Sequence, residues 1–342
     1  MVKFIDVVKG AAVLAIAAAL SGPAFAQAQK TSACDKPAEA KKVTIVGDWL
    51  PWASQGPIIG AQEAGHYKDE GIEVELISPA TPADPIKLVA RQKVAFSMTY
   101  PPEIMVSQDT SIPVTSIAAI LRTYPWGLVV NPDSGVKNPA DLKGKTVGVS
   151  STLAGREFVE TMIRKSGLDP KKDVELVSQG YAAVQLLTAG KVAGITGLSY
   201  GELVTVQNLR KKENKSAPMF WNFRDYGVPE FYFMVIAGND AWMKKNPAAT
   251  CRFLRATAKG HEEFDKNRAK YNQIFAKKNE IFPLEEHTGF TDRTMAEWKD
   301  KSGVYFRQEL DAWKKAQQWA MDVKLITVGG KPENYFTNRY LP

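Results

Sequence analysis

Gly197-Leu198-Ser199-Tyr200-Gly201 fits G-x-S-x-G, the turn on which many hydrolases raise a serine nucleophile between a strand and a helix. Acyl transfer there would need an acid and a histidine further along, and Asp225, Asp240, His261 and His287 follow in that order. Two observations weigh against this chemistry. No His-Gly-Gly segment precedes the motif to build an oxyanion hole. The segment is also accounted for, without catalysis, as one ending of an internal repeat. His66, His261 and His287 are far apart and share no metal-ligand spacing. Neither a Walker-type loop nor G-x-G-x-x-G occurs, so neither a cofactor nor a metal is expected.

The residue types that remain are those of recognition. Asp48-Trp49, Thr99-Tyr100 with Glu103, the loop Ser151-Thr152 with Gly155 and Arg156, Tyr181, and Tyr200 with Glu202 combine aromatic faces with carboxylates and hydroxyls. A planar polar ligand suits such a set, because rings stack and carboxylates accept N–H bonds.

The elements that must position them are written nearly twice. "VELISPATPADPIKLVARQKVAFSMTYPPE" (Val74–Glu103) is answered by "VELVSQGYAAVQLLTAGKVAGITGLSYGE" (Val174–Glu202). Upstream, "KKVTIVGDW" and "GPIIGAQEAGHYKDEG" correspond to "KTVGVSS" and "AGREFVETMIRKSG". Each copy reads β-α-β-α-β, which predicts parallel strands with right-handed crossovers and so two α/β lobes. Ligands of such sheets sit beyond the carboxyl ends of the strands, and those ends are where the recognition residues fall. "SSTLAGRE" opens a helix, so its N–H groups suit either an anionic or carbonyl oxygen or ordinary capping by Ser151 or Thr152. Two strand-like crossings, around Tyr124-Pro125 and Gly227-Val228-Pro229, predict a double hinge. Trp298, Trp313 and Trp319 recur at helical spacing and are expected in the core.

Residues 1–26 read as a cleaved export signal, with Lys3 and Lys9 before an apolar run and Ala24-Phe25-Ala26 at its end. The run from Ala11 to Leu20 is too short to span a bilayer. The chain carries 44 basic and 37 acidic residues, scattered rather than striped, which argues against a nucleic-acid surface. Cys34 and Cys251 are the two cysteines, and an exported protein can either pair them or leave them apart.

With these features the chain resembles type II periplasmic substrate-binding proteins of ABC importers. It resembles more narrowly the thiamin-pyrimidine group, which includes formylaminopyrimidine and hydroxymethylpyrimidine binders and the fungal pyrimidine synthase. The stretches that carry the resemblance are "DWLPWASQGPIIGAQEAGHYKDEGIEVELISPATPADPIKLV", "DLKGKTVGV", "DYGVPEFYFMVI", "NPAATCRFLRATAKG" and "YFTNRYL". It implies lobes at 41–124 plus 232–342 and at 125–231, after a flexible lead-in at 27–40. By position it implies stacking by Trp49, a Tyr at the third strand's end in Tyr100, and pairing of Glu202 with a ring nitrogen and its exocyclic amine. Gln55 stands where several relatives have His. Thr99 and Glu103 stand where the synthases have a cofactor-bearing Lys and an active-site His, Ser97 matches a small residue, and the synthases' cysteine cluster is absent. The expectation is therefore a monomeric, periplasmic, non-enzymatic binder that hands a small ligand to an inner-membrane permease. Within the same fold the alternatives are a sulfonate, a nitrate-like anion, an aromatic acid or riboflavin, and Arg156 favours an anion.

Overall fold

The computed structural model describes residues 33–342, so the predicted export signal and the start of the lead-in lie outside the described residues. The first half contributes β1 (Lys42–Val46), α1 (Gly56–Glu63), α2 (His66–Asp69), β2 (Glu73–Ile77), α3 (Pro85–Ala90), β3 (Phe96–Thr99), α4 (Pro101–Asp109) and β4 (Val114–Leu121). There follow β5 (Trp126–Val130), β6 (Thr146–Val149), α5 (Leu153–Lys165), β7 (Glu175–Ser178), α6 (Ala183–Thr188), β8 (Gly194–Leu198), α7 (Glu202–Lys212) and β9 (Met219–Asn222). The chain ends with β10 (Met234–Asn239), α8 (Asp240–Lys245), α9 (Pro247–Lys266), α10 (Arg268–Lys278), α11 (Leu284–Thr294) and α12 (Leu310–Asp322).

Two five-stranded sheets result, in the orders β2-β1-β3-β10-β4 and β7-β6-β8-β5-β9. The repeated strands pair in parallel in both, Lys42–Val46 against Glu73–Ile77 and Thr146–Val149 against Glu175–Ser178. The equivalence written in the sequence is thus an equivalence of register. Each sheet also takes an antiparallel strand next to its third repeated strand: β10 beside β3, and β5 beside β8. These additions make both sheets mixed rather than purely parallel. The predicted first helix is broken in two, because Gly65 takes φ +80° between α1 and α2.

The segments between β4 and β5, and between β9 and β10, are the two crossings. Tyr124 in the first is 2% exposed and packs edge-on against Phe158, Phe231 and Phe233. The C-terminal helices pack against the first half and reach helices of the second, Trp319 of α12 against Phe158 of α5 and Glu286 of α11 against Thr205 of α7. Trp298, Trp313 and Trp319 are buried, as the helical spacing predicts. Cys34 and Cys251 form a disulfide, which resolves the alternative the sequence left open and ties the segment before β1 to α9. Nearby, Glu39 accepts the N–H groups of Ala248 and Ala249 at the start of α9. Among the described residues, no helix is long and apolar enough to cross a membrane.

Candidate functional site

The carboxyl ends of the repeated strands from both sheets converge on one cleft. Asp48 follows β1 and is 3% exposed. Trp52 Nε1 donates to both its oxygens, at 3.2 and 3.0 Å, and Ser54 Oγ donates at 3.3 Å. Burial pushes the Asp48 carboxyl up to about 6 against the pull of these donors. Gln55 Nε2 donates to the backbone carbonyls of Trp49 and Leu50, at 3.1 and 3.4 Å, so it fixes the loop that carries the tryptophan. It does not itself line the cleft.

The cleft narrows to a cavity of about 70 Å³ and opens from there to solvent. Trp49 and Phe282 form one wall, with ring centres 5.3 Å apart, and Tyr181 meets Trp49 at 5.6 Å. Tyr100 and Trp126 stack at 5.3 Å with Phe233 against both. Asp48 and Glu202 supply the acidic groups, and none of the described residues lining this space is Lys, Arg or His. Gln179 ties the floor together, donating to Thr196 O and accepting from Thr196 N–H.

Glu202 opens α7, and its Oε2 accepts the Leu198 N–H at 2.8 Å. Burial raises its carboxyl above the ordinary range. This contact accounts for the first glycine of G-x-S-x-G: a Cβ on residue 197 would stand 2.8 Å from Glu202 Cβ. The turn is shaped for a close-packed glutamate. His261 spends both ring nitrogens on Met295 O and Tyr305 Oη, and His287 Nε2 faces Asn279 O. Neither histidine is directed to Ser199. Tyr200 is buried against Phe290 rather than in the cleft lining.

A second cavity, of about 350 Å³, adjoins the first and shares Asp48 and Tyr100 with it. Thr99, Glu103, Ser151, Thr152 and Arg156 line it. Thr152 caps α5, accepting the Gly155 N–H at 3.0 Å, so the capping reading of this loop holds. Gly155 takes part only through that bond. Glu103 is 6% exposed and its Oε1 accepts the Ala154 N–H at 3.1 Å. Burial pushes the Glu103 carboxyl up to about 7 against the pull of this and neighbouring backbone N–H groups. Arg156 turns outward to Glu160 and the Leu176 carbonyl.

The two halves also touch across the cleft. Tyr181 Oη donates to Pro79 O at 2.9 Å, Glu103 reaches from α4 to α5, and Thr205 on α7 bonds Glu286 on α11. The cleft further contains Trp52, Trp126, Phe233, Phe282 and Phe290, which the sequence did not single out. Trp126 and Phe233 lie on or beside the crossing strands, and the apolar run of each crossing was their only signal. Phe282 and Phe290 come from the C-terminal helical region, outside either repeat, and carried none. Among the described residues, no group of three or more His, Cys, Asp or Glu could hold a metal ion.

Comparison with known proteins fits this geometry. The family profile described as NMT1/THI5 like matches residues 52–268. The formylaminopyrimidine-binding protein of Halalkalibacterium halodurans is 26% identical over 299 residues, which cover 86% of this chain and 89% of that protein. The 4-amino-5-hydroxymethyl-2-methylpyrimidine phosphate synthase THI13 of Saccharomyces cerevisiae is 25% identical over 64% of this chain and 65% of its own. The alkanesulfonate-binding protein SsuA of Xanthomonas axonopodis pv. citri superposes with a TM-score of 0.66 at 12% identity, over 87% of this chain and 99% of its own. That likeness is one of fold, and the fold is that of the two-lobed periplasmic binding proteins. With the family profile spanning more than half of its length, the chain belongs to the NMT1/THI5-like family.

Proposed function

We propose that this protein is the solute-binding component of an ABC importer, and that it encloses a small planar nitrogen heterocycle, a thiamin-type pyrimidine, between two lobes. The observation that carries the reading is the composition of the cleft. Aromatic rings crowd it, Asp48 and Glu202 provide acceptors, and the described lining holds no base. Such a slot favours a ring that presents N–H donors, and disfavours an anion. Glu202 pairs with a ring nitrogen and its exocyclic amine, Trp49 and Tyr100 supply ring faces, and Asp48 accepts a further N–H. Similarity to the formylaminopyrimidine-binding protein supports the same ligand class.

In this reading the lobes are residues 41–124 plus 232–342 and residues 125–231. They rotate about the two crossings, and the ligand's preference for the closed form drives closure. The protein acts outside the cytoplasm, as a monomer, and presents its closed form to a membrane permease. Thr99 has no amine for an imine and Glu103 is no imidazole, so the residues do not supply the synthases' chemistry. Titration calorimetry with hydroxymethylpyrimidine and its formylamino relative tests the ligand. Saturable binding of one of them is expected. Heat with neither, alongside binding of an alkanesulfonate or an aromatic acid, would overturn the pyrimidine and leave the transport role standing.

A further inference from the structure

The second cavity has a wall of a different kind from the aromatic slot. Lys87, Ser151, Thr152 and Arg156 line it together with Leu153 at the start of α5. Helix N-terminal N–H groups, hydroxyls and cations are the groups that hold an oxyanion. The position in front of the helix is nevertheless taken by the protein itself. Glu103 crosses from α4, and its Oε1 sits 3.1 Å from the Ala154 N. Its other oxygen, Oε2, is buried with no hydrogen-bond partner, and so is the Oγ of Ser151, which lines the same cavity. A buried carboxylate with one oxygen on a helix end and the other unsatisfied occupies the place that an external anion's oxygens would take.

We propose that Glu103, in its ionised form, is an internal anion seated at the N-terminus of α5, and that it is the residue that bars sulfate-, sulfonate- and phosphate-like ligands from this cleft. An incoming oxyanion would have to displace the glutamate or share a buried space with its charge, and either costs binding free energy. Asp48 lines the same cavity and adds to the exclusion. The two cations do not offset this from their present positions: Lys87 lies 3.6 Å from Asp84 and Arg156 3.4 Å from Glu160, and both are about half exposed. This device concerns which charge the fold accepts. It stands whether or not the bound heterocycle is a pyrimidine.

The test uses the mature protein with Glu103→Ala and Glu103→Gln at pH 8, above the Glu103 titration near 7. Sodium sulfate is titrated against sodium chloride of equal ionic strength. Tryptophan fluorescence and the sulfate-dependent rise in Tm are read, each relative to wild type. The wild type is expected to show no saturable sulfate response. Glu103→Ala should gain one, with association stronger by about tenfold or more. Glu103→Gln keeps an acceptor for Ala154 but loses the charge, and should fall between. Saturable sulfate binding by the wild type equal to that of the variants would overturn the proposal. So would a folded Glu103→Ala with no gain; if that variant does not fold, absence of gain in Glu103→Gln decides against it. Calorimetry of the wild type with hydroxymethylpyrimidine, run in parallel, tests the ligand reading separately.

Discussion

Replacing Asp48 with asparagine isolates what it costs the empty cleft to keep a carboxylate dry. Asp48 is 3% exposed and its partners are neutral donors, Trp52, Ser54 and Gln55. Its carboxyl moves from 3.8 to about 6 in the fold. At 1.36 kcal/mol per tenfold change in proton affinity, that corresponds to about 3 kcal/mol. The sign follows from which state holds the proton. Between 3.8 and about 6 the folded protein binds more protons than the unfolded chain, so the Asp48 contribution is most favourable at low pH. It is lost as pH rises through that window and is flat above it. The amide of the Asp48→Asn variant cannot titrate, and its extra N–H group adds an offset that does not vary with pH. Urea unfolding of ligand-free wild type and Asp48→Asn at pH 4 and pH 8 therefore gives the difference directly. The variant should gain about 2 to 3 kcal/mol on the wild type between the two pH values. A difference that stays constant, or one that moves the other way, would refute the account of Asp48 as a desolvated carboxylate.

Further outcomes can be stated for binding and for the frame. Trp49→Ala and Glu202→Gln should each weaken heterocycle binding about 10- to 100-fold by calorimetry while circular dichroism stays native. Helices α1 and α9 approach so closely that a Cβ on residue 260 would stand 2.1 Å from Pro57 O. Gly260→Ala should cost about 2 kcal/mol in denaturant unfolding. Reduction of the Cys34–Cys251 bond, which closes 217 residues, should lower stability by up to about 5 kcal/mol, read as a fall in Tm with reductant.

Local pattern was enough for the repeated strands, because their alternation and spacing are encoded within each short stretch. It placed Asp48, Trp49, Tyr100, Tyr181 and Glu202 at the carboxyl ends of those strands, where the cleft lies. The insertion of β10 between β3 and β4 was not legible, because it pairs Met234–Asn239 with strands more than a hundred residues earlier. Neither was the occupation of the α5 terminus by Glu103. A carboxylate and a helix start 51 residues apart carry no shared local signature. Phe282 and Phe290 escaped for the same reason, since they reach the cleft from a region with no counterpart in the repeat. Tyr200 was drawn in by its place in the motif, yet it packs behind the cleft lining, against Phe290. Periodicity says which side of an element is buried, but not against what.

The position of β10 also sets an order of events during synthesis. The second sheet is complete within one continuous stretch, from Trp126 to Asn222, and can form as soon as that stretch has emerged. The first sheet cannot. β4 hydrogen-bonds to β10, and until residue 234 arrives its eight residues, all buried in the finished protein, have no neighbour on that side. A nascent chain therefore carries a bare apolar strand edge for more than a hundred residues of elongation. The half made first is finished last, and through that interval β4 waits without the strand it pairs with.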